Sequence, residues 1–287
     1  MNRRIDAFLS EDLGPHDCDI SVESIGDAAA RSAVGRVTAK ATGLICGLWL
    51  IEPVVRAVEA RRAASGTCCS ATEISISARD GDRVTPGTVV AELAGQAGVL
   101  LTAERTLLNL VQRLSGIATL TGAFVEAMRG TRCKLLDTRK TTPGLRDLEK
   151  AAVRVGGGVN HRFGLFDMVM LKDNHITAMG GDIRAAVAAA RTRVGPALKI
   201  EVEVATFGQL EAALEAGADI IMLDNMPPEL MKRCADRVAG RVPLEASGGI
   251  TLETIAAAAA TGVDYVSVGA VTHSAKALDL SMKIHIG

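Results

Sequence analysis

Residues 198–224 read LKIEVEVATFGQLEAALEAGADIIMLD, and this stretch decides the fold. It begins with an apolar run, Leu198–Val204, passes through an amphipathic segment, Gln209–Ala216, and ends with a second apolar run, Ile220–Leu223. Short apolar runs of this kind are typical of strands that are buried on both faces of a parallel sheet. The apolar residues of the segment between them recur at helical spacing. The stretch therefore predicts one strand-helix-strand unit.

The same unit recurs through the second half of the chain. Glu203, Asp224, Glu245 and Gly269 lie at or near the ends of apolar runs and follow one another at intervals of 21, 21 and 24 residues. Such intervals are close to the minimum for a strand, a helix and two loops. The other predicted strands are Lys134–Asp137, Met168–Leu171, Val242–Ala246 and Tyr265–Val268. With a seventh strand expected before residue 130, these units are predicted to form a parallel α/β barrel.

The first part of the chain has a different texture. Val34–Leu48, Thr72–Ala78 and Val84–Leu93 are rich in Val, Ile and Thr and are separated by Gly and Pro turns. This pattern predicts short antiparallel strands, which fit a small α/β sandwich domain.

A long helix is predicted to follow these strands. From Thr102 to Arg129 the apolar spacing becomes helical, and Gly116 either weakens this helix or lets another segment pack closely against it. We predict an N-terminal α/β sandwich domain over residues 1–112 and an α/β barrel domain over residues 113–274. The C-terminal tail, residues 275–287, is expected to pack with the first domain.

Composition and charge exclude several classes of function. The chain has 287 residues, 48 % of them hydrophobic, which is enough for a barrel and a smaller domain. Its 32 basic and 33 acidic residues give a formal net charge of −1, and only 2 % of the residues are aromatic. A chain without excess positive charge and without aromatic stacking platforms is not expected to bind nucleic acid or a membrane surface.

No targeting segment and no membrane span is expected. From Met1 the N-terminus runs into Glu11 and Asp12 before an apolar core of signal-peptide length can form. The longest apolar stretch, residues 41–51, is well short of the roughly 18 residues that a membrane span needs. We therefore expect a cytoplasmic protein.

The cysteines indicate a reducing compartment and no metal centre. No two of the six stand in a CxxC pair or at a zinc spacing with a histidine, so we expect all of them to be reduced and structural. They are Cys18, Cys46, Cys68, Cys69, Cys133 and Cys234.

Three loops concentrate the positive charge. They read DTRKTTPG (residues 137–144), GGGVNHR (156–162) and KDNH (172–175), and each adjoins an apolar segment. Arginine binds carboxylate and phosphate through paired hydrogen bonds, lysine acts as a point charge, and glycine lets main-chain N–H groups approach a ligand. In a parallel α/β barrel the chemistry lies at the carboxyl ends of the strands, where these loops are expected. A site for a small polyanion is therefore predicted.

Two strand ends and two glycine turns complete this predicted site. The carboxylates of Glu203 and Asp224 should converge on the barrel mouth, where they suit ribose hydroxyls or Mg²⁺ bound through substrate phosphates. Structural ion pairs with Arg or Lys are the alternative. The turns Ser247–Ile250 and Val268–Ala270 each lead into a helix, the first predicted over Thr251–Ala260, and suit a phosphate. Sharp turns alone are the alternative.

Further cations allow two interpretations. Arg146, Lys150 and Arg154 lie four residues apart on one predicted helix, where they either bind an anion or form a solvated face. His161 is either a core histidine with a main-chain partner or a ligand contact. Its place between three glycines and an arginine favours the ligand contact.

These motifs together resemble the quinolinate phosphoribosyltransferase family. The run Asp137–Thr141, followed in order by Asn160–Arg162 and Lys172–His175, is highly specific, and similar segments extend from Glu11–Gly14 to Gly269–Ser274. The resemblance implies an N-terminal sandwich domain, an incomplete seven-stranded α/β barrel, and condensation of quinolinate with phosphoribosyl pyrophosphate. The products would be nicotinate mononucleotide, pyrophosphate and carbon dioxide, in NAD biosynthesis, with Mg²⁺ as the cofactor.

The resemblance also implies roles for single residues. Quinolinate would be bound by Arg105, Arg139, His161, Arg162 and Lys172. The catalytic residues would be Glu203, Asp224, Lys140 and Lys172. Phosphate groups would be bound by Lys140, Asn174, Ser247, Gly248, Gly249, Gly269 and His273. No residue is assigned as a metal ligand, because Mg²⁺ would be held mainly through the substrate phosphates.

The resemblance extends to assembly and leaves two alternative functions open. Family members are homodimers, some of them assembled further, in which the residue equivalent to Arg105 is supplied by the neighbouring subunit. One alternative is a related protein encoded with molybdate transport, which shares the Asp137–Thr141 run; the intact Gly-Gly-Gly-Val-Asn-His-Arg and Lys-Asp-Asn-His runs argue against it. The other is a non-catalytic nucleotide-binding protein of the same fold, and the presence of Glu203, Asp224 and Lys172 argues against that.

Overall fold

The structure, a computed structural model, describes residues 2–67 and 70–287. Met1, Cys68 and Cys69 lie outside the described residues, so the prediction that both cysteines are reduced and structural lies there too. The cysteines that the structure does describe are free thiols. They are Cys18, Cys46, Cys133 and Cys234.

The chain divides into two compact units. The first comprises Met1–Thr119 and Lys276–Gly287, and the second comprises Leu120–Ala275. The boundary that we predict between residues 112 and 113 lies inside a helix that runs without a break from Ala97 to Ala127. The chain therefore passes from one unit to the other within a helix.

Helices and strands follow one another along the chain in mixed order. The α-helices are α1 (Asn2–Leu13), α2 (Ile20–Ser24), α3 (Ile51–Ala64), α4 (Ala97–Ala127), α5 (Arg146–Val155), α6 (Asp173–Ala178), α7 (Ile183–Val194), α8 (Phe207–Glu215), α9 (Pro228–Val238), α10 (Ile255–Ala259) and α11 (Ala270–His273). The strands are β1 (Ser32–Ala39), β2 (Gly43–Leu44), β3 (Glu73–Ile76), β4 (Arg83–Val84), β5 (Val89–Gln96), β6 (Lys134–Leu136), β7 (Val169–Leu171), β8 (Ile200–Val204), β9 (Ile220–Asp224), β10 (Leu244–Ser247), β11 (Tyr265–Ser267) and β12 (Leu280–Ile286). Short 3₁₀ helices cover Gly14–His16, Gly26–Ala30 and Leu48–Leu50. Among the described residues, none of these helices is long and apolar enough to cross a membrane.

The first unit is built on an antiparallel sheet of four strands in the order β12-β1-β5-β3. β2 and β4 form a separate antiparallel pair. Buried residues alternate with more exposed ones along β1, as expected of a strand with one face on a core. Val37 of β1 is fully buried and pairs with Met282 of β12 and with Ala91 of β5. The short antiparallel strands predicted for this part of the chain are confirmed.

The second unit is built on a parallel sheet of six strands in the order β6-β11-β10-β9-β8-β7. The six strands that the apolar runs predict are confirmed, and so is their parallel pairing. The seventh strand expected before residue 130 is wrong, because α4 occupies the chain up to Ala127. Its nearest equivalent in the described residues is a single parallel bridge between Leu136 of β6 and Val159.

The register of the parallel strands brings polar side chains to one face of this sheet. Glu203 of β8 pairs with Met222 of β9, which pairs in turn with Glu245 of β10. Asp224 pairs with Ser247, two residues further toward the carboxyl ends of these strands. Paired residues of parallel strands share a face, and every second residue of a strand returns to it. These five side chains therefore lie on the same face, near the carboxyl ends of the strands.

The glycine turn after β10 is longer than predicted. The sequence predicts a helix from Thr251, but α10 begins at Ile255. Gly248 and Gly249 have φ angles of +97° and +61°, and the next turn is closed by a 2.9 Å hydrogen bond from the Thr251 N–H to Thr254 Oγ1. A side-chain hydrogen bond of this kind competes with the helical main-chain ladder. The helix therefore starts about one turn later.

Gly116 of α4 lets another segment pack closely against the helix, which is the second of the two interpretations given above. A Cβ atom at this position would lie 2.1 Å from the main-chain oxygen of Lys276. We expect Gly116→Ala to lower the free energy of unfolding by about 1–3 kcal/mol, because the main chain at Lys276 must move to make room. Guanidinium unfolding followed by circular dichroism measures this change.

Gly208→Ala is the matched control. Gly208 also lies in a helix, α8, but no atom lies within 4 Å of its Cβ position. Alanine there should stabilise by roughly 0.5–1 kcal/mol, because it restricts the unfolded chain and meets no obstacle. Equal losses in both variants, or none in Gly116→Ala, would contradict the close-packing interpretation.

Candidate active site

A cavity of about 720 Å³ opens at the carboxyl ends of the parallel strands of the second unit. Most of the residues that the sequence assigns to the site line it. They are Arg139, Lys140, His161, Arg162, Lys172, Glu203, Asp224, Ser247, Gly248, Gly249, Gly269 and His273. The lining thus combines cations, carboxylates and glycines, which is the combination that a phosphorylated polyanion requires.

Two residues assigned from the sequence are not part of this lining. Asn174 is exposed in the first turn of α6, and the structure does not bring it to the other phosphate-binding candidates. Arg105 is exposed on α4 and belongs to the first unit, whereas residues of the second unit line the cavity.

Lys172 and Glu203 form an ion pair in the cavity. Lys172 Nζ lies 2.6 Å from Glu203 Oε2, and the side chain of Glu203 is mostly buried. The alternative of a structural ion pair therefore describes Glu203 in this structure. Asp224 is engaged differently, because its Oδ2 accepts a 2.8 Å hydrogen bond from the side-chain amide of Asn225. Among the described residues, neither carboxylate belongs to a group of side chains spaced to hold a metal ion.

Lys140 lies beside the last glycine turn. A Cβ atom at Gly269 would lie 2.9 Å from Lys140 Cδ and 3.2 Å from the ring of His273, so glycine is what lets both side chains approach the main chain. The Thr272 hydroxyl donates a 2.8 Å hydrogen bond to the main-chain oxygen of Lys140, which ties the two loops together. Lys140 and His273 therefore flank the same glycine.

Gly248 and Gly249 provide a second place for main-chain contact with a ligand. A Cβ atom at Gly248 would lie 2.3 Å from Asn225 Oδ1, so a larger residue cannot take this place without rearrangement. Within the described part of the chain, the N–H groups of these two glycines donate to no main-chain acceptor. Consecutive N–H groups in a turn form a concave site that suits a phosphate oxygen.

Asp137 holds the end of β6 to the loop that carries His161. Its fully buried carboxylate accepts hydrogen bonds from the Lys150 ammonium, from Asn160 Nδ2 at 2.6 Å and from the His161 N–H at 2.8 Å. Burial raises the pKa of Asp137, and these donors act against that rise. Lys150 Nζ also donates to the main-chain oxygen of His161 at 3.0 Å. Both main-chain polar groups of His161 are therefore held, its N–H by Asp137 and its oxygen by Lys150.

The cations predicted to share one helix face do not form a common patch. The side chain of Lys150 is 3 % exposed and ion-paired, so neither an anion site nor a solvated face describes it. Arg154 donates to Asn160 Oδ1, and Arg146 donates through Nε at 2.9 Å to the hydroxyl of Thr141. All three side chains of α5 therefore hold the loops around the cavity.

A buried cluster of three side chains lies deeper than the cavity cations. His161 Nε2 is 3.2 Å from Glu201 Oε2 and 3.2 Å from Glu245 Oε2. The glutamate side chains are 0 % and 1 % exposed. Among the described residues, His161 Nε2, both oxygens of Glu201 and Oε1 of Glu245 are buried without a well-aligned hydrogen bond. We call His161, Glu201 and Glu245 the acidic cluster.

The main chain fixes the tautomer of His161. The Arg162 N–H donates a 2.6 Å hydrogen bond to Nδ1. Nδ1 therefore carries no proton, and the ring proton lies on Nε2, between the two carboxyl groups. The ligand atoms of the cluster lie within 4.8 Å of one another, a spacing that could hold a metal ion. A ring nitrogen that keeps its proton is not a metal ligand, so we do not assign a metal to this cluster.

The acidic cluster holds protons more tightly than its members would in water. Burial lowers the pKa of His161, but the hydrogen bonds and charges of Glu201 and Glu245 outweigh it and raise this pKa from 6.5 to about 10. Burial raises the pKa of Glu201 from 4.5 to about 7, and Glu245 adds to the rise against the hydrogen bond from His161. Two buried carboxyl groups this close are not both ionised. The raised pKa of His161 therefore describes a proton that the three groups share, and because Nδ1 accepts the Arg162 N–H, we place this proton on the carboxyl pair and not on the ring.

Two arginines repel each other in the cavity wall. Burial and the neighbouring charge of Arg139 lower the pKa of the Arg162 guanidinium. The position of Arg162 is fixed by a 3.1 Å hydrogen bond from NH1 to the main-chain oxygen of Met168. Arg139 is exposed and Arg162 is half-buried, and an anion placed between them would stabilise both charges. This repulsion is the clearest sign of an anion site in the cavity.

The sequence interpretation missed the acidic cluster and the role of Asp137. A signal for the two glutamates was present, because strand side chains return to the same face at every second residue. Glu201 precedes Glu203 by two positions, and Glu245 precedes Ser247 by two positions. Once Glu203 and Ser247 are placed on the cavity face, this alternation places both glutamates there as well.

Comparisons with known proteins identify the family. Residues 19–115 match the quinolinate phosphoribosyl transferase N-terminal domain, and residues 117–283 match the C-terminal domain. The chain is 43 % identical over 284 residues to a Bacillus subtilis (strain 168) protein named "Probable nicotinate-nucleotide pyrophosphorylase (carboxylating)", which covers 99 % of this chain and 93 % of that protein. It is 50 % identical over 210 residues to the nicotinate-nucleotide pyrophosphorylase (carboxylating) of Mycobacterium leprae (strain TN), covering 71 % of this chain and 72 % of that protein.

Solved structures agree with this assignment. NadC from Streptococcus pyogenes superposes with a TM-score of 0.89 at 43 % identity, covering 99 % of this chain and 95 % of that chain. The predicted fold class is thereby confirmed. A parallel α/β sheet with a cationic, glycine-lined cavity at its carboxyl edge defines an enzyme that acts on phosphorylated small molecules. The chain belongs to the quinolinate phosphoribosyl transferase family.

Glu201→Gln tests the protonation of the acidic cluster through stability. Because folding raises the pKa of Glu201 from 4.5 to about 7, the native state keeps a proton that the unfolded chain releases in this pH range. Ionising the folded protein is therefore unfavourable, and stability is lost as the pH rises from about 4.5 to about 7. We expect the melting temperature of the wild type to fall across this range relative to Glu201→Gln, as measured by calorimetry.

Glu229→Gln is the matched control for this titration. Glu229 is exposed in the first turn of α9, so the substitution removes the same charge without touching the acidic cluster. Its melting profile against pH should run parallel to that of the wild type. A Glu201→Gln profile that also runs parallel would show that Glu201 is ionised in the folded protein throughout the range.

Proposed function

We propose that this chain condenses quinolinate with phosphoribosyl pyrophosphate, forms nicotinate mononucleotide and releases pyrophosphate and carbon dioxide, as a step of de novo NAD biosynthesis. The observation that carries the proposal is that Arg139 and Arg162 line the same cavity, where a dicarboxylate would pair with both and relieve the repulsion between their charges. Membership of the quinolinate phosphoribosyl transferase family supports it. The names of the relatives support it over a molybdate-associated protein or a non-catalytic nucleotide-binding protein.

The dicarboxylate is bound at the end of the cavity where the arginines lie. Arg139 and Arg162 each offer a planar pair of donors to a carboxylate, and Lys172 adds a point charge. His161, whose side chain is 7 % exposed, contributes a wall of the pocket and not a free charge. Substrate carboxylates that reach Lys172 compete with Glu203 for its ammonium group.

The phosphorylated sugar is bound at the glycine turns. The single phosphate on its ribose, as distinct from the pyrophosphate, suits the N–H groups of Gly248 and Gly249 beside the Ser247 hydroxyl, since these residues line the cavity. Lys140 and His273, which flank Gly269, supply positive charge for the pyrophosphate. Asp224 of β9 lies beside the turn after β10, Glu203 lies on the next strand, β8, and both are assigned to the ribose.

Mg²⁺ is proposed to bind with the substrate. In this cavity the ion would bind through the phosphate oxygens of the substrate, because both nearby carboxylates already have partners. Lys172 holds the Glu203 carboxylate, and Asn225 holds the Asp224 carboxylate. Bound in this way, the ion would neutralise charge on the pyrophosphate. We assign no residue of the chain as its ligand.

The residues around the ribose then account for the reaction. As the bond from the anomeric carbon to pyrophosphate breaks, the sugar gains positive charge, which the carboxylates of Glu203 and Asp224 stabilise. Lys140 stabilises the departing pyrophosphate. The pyridine nitrogen attacks the anomeric carbon, and the positive charge that it acquires favours loss of the adjacent carboxylate as carbon dioxide. No covalent intermediate with the protein is required.

Release of pyrophosphate that depends on quinolinate, phosphoribosyl pyrophosphate and Mg²⁺ tests this function. Nicotinate should turn over poorly, because it lacks the second carboxylate and leaves a half-buried guanidinium unpaired at a cost of roughly 2–5 kcal/mol. Arg162→Lys should raise the KM for quinolinate at least about tenfold, since an ammonium group cannot replace the paired donors.

Arg129→Lys is the control for the arginine substitution. Arg129 is 79 % exposed and pairs with Glu126, three residues earlier in the chain. It does not line the cavity. Its kinetics should match those of the wild type. Equal turnover of nicotinate and quinolinate would overturn the proposed function.

We also propose that the enzyme is a homodimer in which Arg105 completes the partner's quinolinate site. Arg105 is exposed and makes no ion pair with another described residue, and the family resemblance places its equivalent across a subunit interface. Mixing inactive Arg105→Ala and Lys172→Ala subunits should restore one intact site per heterodimer, or about a quarter of the wild-type activity at statistical pairing.

Native mass spectrometry provides the control for this mixing experiment, because it shows whether subunits exchange. Activity that stays at background after proven exchange would show that Arg105 does not act in trans. Assembly beyond the dimer and the cytoplasmic location stay predictions of the sequence.

A further inference from the structure

We propose that the acidic cluster takes up a proton when the dicarboxylate binds, and that Glu245 gives this proton to the ring carbon that loses carbon dioxide. The proposal rests on the proposed function, in which the substrate is a pyridine dicarboxylate. It assigns a catalytic role to Glu245 and positioning roles to His161 and Glu201.

The reaction requires a proton at this step. When the bond between ring carbon C2 and its carboxylate breaks, carbon dioxide leaves and the electron pair stays on C2, beside the cationic ring nitrogen. The pair then forms a C–H bond with a proton from an acid. Arginine does not give up its proton in proteins, and the ammonium of Lys172 is held by Glu203 at 2.6 Å. Lys140 and His273, the other cations of the lining, flank Gly269, where the pyrophosphate is proposed to bind. A buried carboxyl group is therefore the acid that the described cavity wall offers to the dicarboxylate.

Glu245 is the carboxyl of the cluster that reaches the cavity. Both Glu245 and His161 line it, whereas Glu201 lies deeper and is not part of the lining. Oε2 of Glu245 contacts His161 Nε2, and its Oε1 has no hydrogen-bond partner among the described residues. Because Oε1 is fully buried, Oε2, which lies 3.2 Å from the histidine, is the oxygen that can hold a proton and reach the substrate.

Binding of the substrate drives the uptake. With a neutral His161 and one proton shared by the carboxyl pair, the cluster carries one negative charge beneath a site for a dianion. Arg162 acts on Glu201 from the cavity side, and a substrate carboxylate that pairs with Arg162 removes that stabilisation of the ionised form. Both effects favour a second proton on the cluster. The other ionisable groups that face it are Asp137, Lys150, Cys133, Glu203 and Tyr265.

The proton balance closes over one turnover. The proton taken up with the substrate moves from the Glu245 carboxyl to C2, and the cluster returns to its single shared proton. No oxidant, reductant or further reactant is needed. His161 keeps its Nε2 proton throughout, because the hydrogen bond from the Arg162 N–H keeps Nδ1 an acceptor.

Calorimetric titration of the full-length wild type with quinolinate tests the uptake without any variant. At pH 7.5, in buffers that differ in ionisation enthalpy, the slope of the binding enthalpy against that quantity gives the protons taken up. We expect about one proton per site. A slope of zero would overturn the proposal, whatever the variants show.

Two substitutions assign the uptake to the cluster. Glu245→Gln and Glu201→Gln should each reduce it at least about twofold, because each removes a carboxyl that shares the protons. Glu149→Gln is the matched control, since Glu149 is equally buried in the second unit but bonds to Thr142. An unchanged uptake in both cluster variants would place the proton elsewhere and overturn the assignment.

A single-turnover experiment tests the delivery. With quinolinate labelled in its C2 carboxylate, the wild type should release carbon dioxide and pyrophosphate in equal amounts. In Glu245→Gln, release of carbon dioxide should lag behind pyrophosphate at least about tenfold, and the mononucleotide that still bears both carboxylates should accumulate. A merely structural defect would slow both products together.

The outcomes separate this inference from the proposed function. If the wild type releases no pyrophosphate with quinolinate, the proposed function fails. If pyrophosphate is released but carbon dioxide keeps pace with it in Glu245→Gln, the function stands and the role of Glu245 is wrong.

Discussion

The buried carboxylate of Asp137 is the interaction on which the cavity depends. It accepts bonds from α5 through Lys150, and from the loop after α5 through Asn160 and the His161 N–H. Removing a buried carboxylate of this kind would leave the Lys150 ammonium unpaired, at a cost of about 3–5 kcal/mol. Lys150, which this carboxylate holds, also donates to the main-chain oxygen of His161 and so fixes the peptide between His161 and Arg162. The positions of a cavity cation and of the cluster histidine therefore depend on one anion.

This arrangement stacks two layers of opposite charge. Arg139 and Arg162 repel each other near the cavity surface, while Glu201 below them partly offsets the repulsion felt by Arg162. Arg162 is held in place by the main-chain oxygen of Met168 without being neutralised, because the counter-charge is buried on the far side. A dianion that enters from the solvent side therefore meets donors already in position, which is how a preorganised site gains affinity.

The sequence predicts the strands of the fold more completely than it predicts the side-chain contacts of the site. Strand-helix-strand spacing is a local property, and the intervals after Glu203 and Asp224 were sufficient to place the parallel strands. The start of α10 was misplaced because a side-chain bond between Thr251 and Thr254 outweighed helical spacing. The partner of Asp137 is 13 residues away in sequence and became apparent only in the folded chain. Long-range pairing of this kind has no periodic signature.

The stability of the fold does not account for the acidic cluster at the floor of the cavity. Two buried carboxyl groups around one histidine, with unpartnered oxygens, break the rule that buried polar groups are fully bonded. Apolar side chains of similar volume would often be at least as stable in such a position. Positions where local rules fail without a structural gain tend to be those where function sets the residue. In this chain the failure occurs at the floor of the cationic cavity, where a held proton lies next to the site proposed for a decarboxylation.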